Sequence, residues 1–174
     1  MISFNCIGNM SNTFEVLETA TWKIDDKVMT RDPFLKFTTF NGDKFVGGLR
    51  ISDQLLPSLG YKVFYSGEPA TLIQTGLPQS PVEDVVLRAG WNWIGHAPLD
   101  TVDVRDIEVV GAPGFSVNDQ IKTRAGSDVK LTTHDGGSGF SVWQGNIPQL
   151  TPGIGYEVKV AKTLSFCYGT SCSL

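Results

Sequence analysis

The chain has 174 residues, 41% of them hydrophobic and 18% charged, with 14 Lys+Arg against 18 Asp+Glu. That length holds one ordinary domain or two small ones, and ten Phe, four Trp and four Tyr are too apolar an inventory for a disordered chain. A net charge of −4 with no basic run argues against a phosphate-backbone partner, and no segment approaches the run of about eighteen apolar residues that a membrane helix needs.

The 19 Gly and 9 Pro are spread along the whole length, which disfavours long helices. Met1 is followed by Ile2, Ser3, Phe4, Asn5 and Cys6, with neither the basic nor the apolar region of a signal peptide. A repeating unit opens almost at once, so the expectation is a leader removed upstream and a chain cut from a longer one.

In chain order, Phe4-Asn5-Cys6-Ile7-Gly8 is answered by Trp91-Asn92-Trp93-Ile94-Gly95, and Asp25-Asp26-Lys27-Val28-Met29-Thr30-Arg31 by Asn118-Asp119-Gln120-Ile121-Lys122-Thr123-Arg124. Leu35-Lys36-Phe37-Thr38-Thr39-Phe40-Asn41-Gly42 is answered by Val129-Lys130-Leu131-Thr132-Thr133-His134-Asp135-Gly136. Leu55-Leu56-Pro57-Ser58-Leu59-Gly60-Tyr61-Lys62-Val63 is answered by Leu150-Thr151-Pro152-Gly153-Ile154-Gly155-Tyr156-Glu157-Val158. The four blocks keep their order, and 15 of 29 positions are identical. Internal self-similarity of this kind marks a duplicated unit. The junction Gly76-Leu77-Pro78-Gln79-Ser80-Pro81 carries two prolines that resist helix and sheet, so the units are read as residues 1–80 and 81–174. Split near Glu83, each half carries 7 basic and 9 acidic residues, so neither is a charged tail.

Within each unit the local pattern is that of strands. Leu35, Phe37 and Thr39 alternate with Lys36, Thr38 and Phe40, and Glu157 and Lys159 fall on every second place after Tyr156. Asn41-Gly42 and Asp135-Gly136 read as hairpin turns. Gly60 and Gly155, each before a Tyr, are expected to take positive φ. Trp91 and Trp93, two apart, share one side of a strand, most simply the core side, while Asn92 faces the other way and bonds loop backbone. About six short strands per unit predict an all-β chain: two tandem, internally homologous, small antiparallel β-sandwich or barrel modules related by pseudo-twofold symmetry. An intertwined single domain is the alternative arrangement.

Gly90-Trp91-Asn92-Trp93-Ile94-Gly95, followed by Leu150-Thr151-Pro152-Gly153-Ile154-Gly155-Tyr156, resembles tandem repeats of secreted and surface-displayed proteins of bacteria and algae. In such repeats a Gly-Trp-Asn strand opens the unit and a Pro-Gly-x-Gly-Tyr turn precedes its last hairpin. The resemblance implies an extracellular, non-enzymatic repeat. The first copy departs from it, with Phe4 in place of Trp and Pro57-Ser58 in place of Pro-Gly.

Catalytic and metal chemistry find little support. The two histidines, His96 and His134, have no i, i+4 partner, and the Asp-rich turns lack a calcium-loop series. No serine sits in a nucleophile elbow, and Gly136-Gly137-Ser138-Gly139 lacks the Lys of a phosphate loop. No cofactor is implied. The shared polar set is Asp26 with Thr30 and Arg31, and Asp119 with Thr123 and Arg124: matched arginines suit a repeated anionic-sugar contact, and the plainer reading is a local Asp–Arg pair that fastens a loop. Trp22, Phe115 and Trp143 are sugar-stacking faces or core caps, and His134 is a hairpin side chain or a ligand contact. Cys167 and Cys172 are spaced for a short-loop disulfide of an oxidising compartment, with a free pair in a reduced cytosolic protein as the alternative, whereas Cys6, matching Trp93, reads as a buried apolar residue.

The expectation is a non-catalytic extracellular or cell-surface module for adhesion, structure or carbohydrate-type binding. Its partner is a polysaccharide or a matrix or surface protein, with no nucleic acid and no membrane span. The alternatives are a polymer-targeting accessory domain of a secreted enzyme and, less favoured, a small hydrolase.

Overall fold

Alternation in the sequence becomes alternation of burial in the computed structural model, which describes residues 6–7, 17, 20–49, 56–72, 77–78, 84–96, 98–111, 114–125, 128–136 and 143–168. Val28 and Thr30 are buried between half-buried Lys27, Met29 and Arg31; Tyr156, Val158 and Val160 are buried while Glu157 and Lys159 face out. Each fully buried Val, Leu or Ile contributes about 1.5–3 kcal/mol, so the pleat that hides one row is strongly preferred over the register that would hide the other.

The strands, in order, are β1 (Cys6–Ile7), β2 (Lys27–Arg31), β3 (Leu35–Phe40), β4 (Phe45–Gly47), β5 (Tyr61–Phe64), β6 (Leu77–Pro78), β7 (Val85–Leu87) and β8 (Gly90–Gly95). They continue with β9 (Val102–Asp103), β10 (Ile107–Val110), β11 (Gln120–Ala125), β12 (Asp128–His134), β13 (Trp143–Gly145), β14 (Gln149–Leu150), β15 (Gly155–Val160) and β16 (Leu164–Tyr168). Among the described residues a 3-10 turn, Val104–Asp106, is capped by Asp103, whose side chain accepts from the Arg105 amide. The fold is all-β, as expected, and its described strand pairs are antiparallel.

A four-stranded sheet runs β4-β3-β2-β5, and a five-stranded sheet runs β13-β12-β11-β15-β8. The three-stranded sheet β10-β16-β7 shares a core with the five-stranded sheet, where Leu87, Ile94, Ile121, Leu150, Tyr156 and Phe166 meet. Val28, Phe45, Leu49 and Tyr61, with Leu17, form the core behind the four-stranded sheet. Two short pairs, β1-β6 and β14-β9, complete the described strands. Pro78 therefore sits in a two-residue strand pair with Cys6 rather than in a plain connector; the rest of the 76–81 junction, apart from Leu77, lies outside the described residues.

Contacts at matched positions recur pair by pair. The Thr30 hydroxyl donates to the Gly60 carbonyl at 2.9 Å, and that of Thr123 to Gly155 at 2.9 Å. The Tyr61 hydroxyl accepts the Leu56 amide at 2.9 Å, and that of Tyr156 accepts Thr151 at 2.8 Å. Thr38 lies opposite Gly47 and Thr132 opposite Gly145, and these glycines take φ of 152° and 150°. Asp25 and Asn118 both adopt positive φ, at 73° and 68°.

Two local expectations are corrected. Gly60 and Gly155 are not positive-φ residues: Gly155 opens β15, its carbonyl held by Thr123, and the positive φ of that turn belongs to Gly153, at 78°. Trp93 is buried, as expected, and Trp91 half-buried, but neither joins the two hydrophobic core clusters. Ile94 takes the inward place opposite Tyr156, which turns Trp93, opposite Glu157, to the outer face of the sheet. Asn92 does bond backbone, with Oδ1 accepting the Arg88 amide at 2.9 Å and Nδ2 donating to the Arg88 carbonyl at 2.8 Å.

Candidate ligand-binding face

The edge of β8 is where the two larger sheets meet. Leu59 bridges Ile94, flanked by hydrogen bonds from the Gly60 amide to the Trp93 carbonyl (3.1 Å) and from the Gly95 amide to the Ser58 carbonyl (3.0 Å). Beside this bridge, outward side chains of β5 and of β11, β12 and β15 line one hollow. The register places Lys27, Met29, Arg31, Phe37, Lys62 and Phe64 on the outer face of the four-stranded sheet. Lys122, Arg124, Val129, Leu131, Glu157 and Lys159 stand on the outer face of the five-stranded sheet, with Trp91 and Trp93 on its β8 edge.

At the seam, the Glu157 carboxylate takes Lys62 from one sheet and Lys122 from the other, the latter at 2.8 Å. The same two ammoniums lie over the tryptophans, Lys62 at 4.2 Å from the Trp93 ring centroid and Lys122 at 4.1 Å from that of Trp91. Cation–π attraction and a two-sided ion pair thus hold one cluster together. Burial pushes the Glu157 carboxyl up, but the hydrogen bonds and charges of Lys122 and Lys62 outweigh it and hold it below the usual carboxylate range.

Two hollows flank the seam. One, of about 360 Å³, is lined by Lys62, Phe64, Lys122, Arg124, Val129 and Glu157. The other, of about 600 Å³, runs along β8 beside Trp91 and Trp93 and is edged by Arg31 and Arg88 together with Asp32 and Asp84. Large apolar side chains are open on this face, with Phe37 at 48%, Phe64 at 55% and Val129 at 54% exposure. Isolated exposed apolar residues need no explanation, but several gathered on one face mark an interaction surface.

The residues singled out from sequence divide between this face and the interior. Arg31 and Arg124 both stand on it, one at each hollow. Asp26 and Asp119 do not: each is buried and accepts two backbone amides, Asp26 from Lys23 and Ser66 at 2.9 Å each, Asp119 from Ser116 and Ala161 at 2.7 Å each. Neither makes an ion pair with its neighbouring arginine among the described residues. Trp143 and His134 are buried edge-to-face with centroids 5.1 Å apart, and Phe115 packs on Trp143 at 5.0 Å; Trp22 meets Phe45 in the same way at 4.9 Å. His96 is fully buried, its Nε2 donating to the Asp100 carbonyl at 2.7 Å, and burial lowers its pKa. Cys167 is buried and disulfide-bonded; the side chains of Cys6 and Cys172 lie outside the described residues, as do Phe4, Asn5 and Gly8.

No protein-family model, curated protein or solved structure matches this chain. The functional reading therefore rests on the face itself. Among the described residues there is no group of three or more His, Cys, Asp or Glu side chains placed to hold a metal ion, and no helix long and apolar enough to cross a membrane.

Sequence reading did not find the Lys62–Glu157–Lys122 cluster. Its signal was present as charged residues on the wet side of three strands, but pairing β5 with the β8–β15 seam depends on the bridge at Leu59, which no local pattern encodes.

Proposed function

We propose that this protein is a non-catalytic, extracellular or cell-surface β module, built as two copies of one unit, that binds a carbohydrate polymer along the composite outer face. The observation that carries the reading is the open surface spanning both sheets, where Phe37, Phe64 and Val129 alternate with cationic side chains around the Trp91–Trp93 seam. A sugar polymer presents apolar CH faces and polar edges at regular intervals, which suits a surface of this mixed kind better than a closed pocket does. The matched Thr–Gly and Tyr–amide bonds support the duplicated unit. The resemblance of the Gly-Trp-Asn and Pro-Gly-x-Gly-Tyr segments to surface-protein repeats supports the location, and so does a disulfide at Cys167, a bond favoured in oxidising compartments.

A glycan array, followed by affinity gel electrophoresis on the polymers that score, tests the reading. Phe64→Ala is expected to lower affinity with the fold intact, because more than half of that side chain is open to solvent. Failure to bind any neutral or acidic polysaccharide would remove the carbohydrate reading.

A further inference from the structure

The outer face has a charge unlike that of the rest of the chain. Its outward strand positions carry Lys27, Arg31, Lys62, Lys122, Arg124 and Lys159, against a single carboxylate, Glu157. Among the described residues, six of the chain's 14 cations stand at these outward strand positions, which carry a net +5, while Asp32 and Asp84 beside Arg88 edge the larger hollow. Such a gathering costs self-repulsion among the cations, and strand alternation alone does not require cations at these places.

Resting on the carbohydrate reading above, we infer that the ligand is an acidic polysaccharide whose sugar units carry carboxylates, and that the hollow lined by Lys62, Phe64, Lys122, Arg124 and Val129 is where a uronate unit sits. Glu157 supplies the internal precedent: a carboxylate is already gripped there by lysines from two sheets. Arg124 stands beside it, exposed and without an ion pair among the described residues, and offers a planar fork to a second carboxylate. Phe64 and Val129 provide apolar walls for the ring of the same sugar. The larger hollow is the weaker anion site, because Asp32 and Asp84 edge it beside Arg31 and Arg88.

A nucleic acid fits the face less well. Duplex DNA carries a negative charge about every 1.7 Å along its axis, whereas apolar side chains separate the cations here. Single strands bind by stacking bases on open aromatic rings; Lys62 and Lys122 already lie over Trp93 and Trp91, and the open rings left on the face are Phe37 and Phe64, so single-stranded DNA is the competitor the test includes.

The test is affinity electrophoresis and calorimetry of the full chain with polygalacturonate, with the same polymer after carboxyl reduction, and with single-stranded DNA. Polygalacturonate is expected to bind, to lose at least about tenfold in affinity on carboxyl reduction, and to weaken as salt rises through the range where the Debye length falls below about 10 Å. Arg124→Gln and Lys27→Gln are expected to weaken binding about three- to tenfold each, while Lys162→Gln, on the turn after β15, leaves it unchanged. Equal binding of the acidic and reduced polymers would overturn the inference and leave the carbohydrate reading standing. Tighter binding of DNA than of polygalacturonate would overturn the inference, and binding of no polysaccharide at all would overturn both.

Discussion

Lys62 on β5 and Glu157 on β15 form an ion pair between two different sheets, and Lys122 completes it from the next strand. Because the Glu157 carboxyl is held below its ordinary value of 4.5, its contribution to stability is fully present above that pH and is lost as the pH falls through the lower folded-state value. Unfolding by denaturant at pH 7 and at pH 3 should show a loss on the acid side that is smaller in Glu157→Gln. At pH 7 the same variant, which leaves two lysines facing each other, should be less stable by about 1–2 kcal/mol, between the values for open and buried pairs. An unchanged acid slope in Glu157→Gln would place the acid sensitivity elsewhere.

Gly47 and Gly145 are required by the backbone beside them. A Cβ on Gly145 would stand 2.2 Å from the Leu131 carbonyl oxygen, and one on Gly47 2.4 Å from that of Phe37, both at a φ that side chains rarely adopt. Gly145→Ala and Gly47→Ala are each expected to cost about 2–4 kcal/mol, from strain together with forced displacement of the neighbouring strand. Gly48→Ala, where a Cβ meets open space, should be nearly neutral in the same thermal or chemical unfolding measurement.

Asp26 and Asp119 anchor matched loops. Each carboxylate ties a turn to the segment following β5 or β15, through Ser66 in one case and Ala161 in the other. Asp26→Ala and Asp119→Ala each leave two amides without their charged acceptor and should cost about 2–3 kcal/mol. Burial raises the Asp26 carboxyl, but the bonds from Lys23 and Ser66 outweigh it, so its pKa lies below 3.8. Stability from Asp26 is therefore present above that pH and fades in acid, and Asp26→Asn should flatten the acid limb of a stability–pH curve.

What could be read from sequence follows from how local each cause is. The hairpin at Gly42 and Gly136 was legible because positive φ and a short-range turn signal coincide in two residues, and both glycines do take positive φ. The strands from Leu35 and Val129 were legible from residue type and period two in the sequence, although burial along them does not alternate: Leu35–Phe37 and Asp128–Leu131 are exposed, and burial begins at Thr38 and Thr132. The outward turn of Trp91 and Trp93 was not. Two large aromatics at i and i+2 read as core, and only the pairing of Ile94 with Tyr156, together with lysines arriving from other strands, makes the outer face dry enough to hold them. Asp26 and Asp119 were singled out as polar and repeated, yet their partners are backbone amides, one of them some forty residues away, and side-chain type carries no record of that distance.

His134 is aligned with Phe40 in the internal sequence match, and each packs on its cross-strand aromatic partner: Phe40 on Phe45 at 5.3 Å, and His134 on Trp143 at 5.1 Å. His134 is 6% exposed, and its Nδ1 has no hydrogen-bond partner among the described residues. A buried polar atom without a partner costs about 1–3 kcal/mol, whereas Phe would keep the ring contact and remove that cost. The larger ring needs added room beside Trp143 and Phe115, which offsets part of the gain. His134→Phe is therefore expected to raise stability by up to about 1 kcal/mol, and Phe40→His to lower it by about 1–3 kcal/mol, in denaturant unfolding at pH 7.5. The polysaccharide affinity of His134→Phe should stay at the wild-type value, since the ring faces the core and not the cationic surface. A loss of affinity at native stability would return His134 to the ligand-contacting residues.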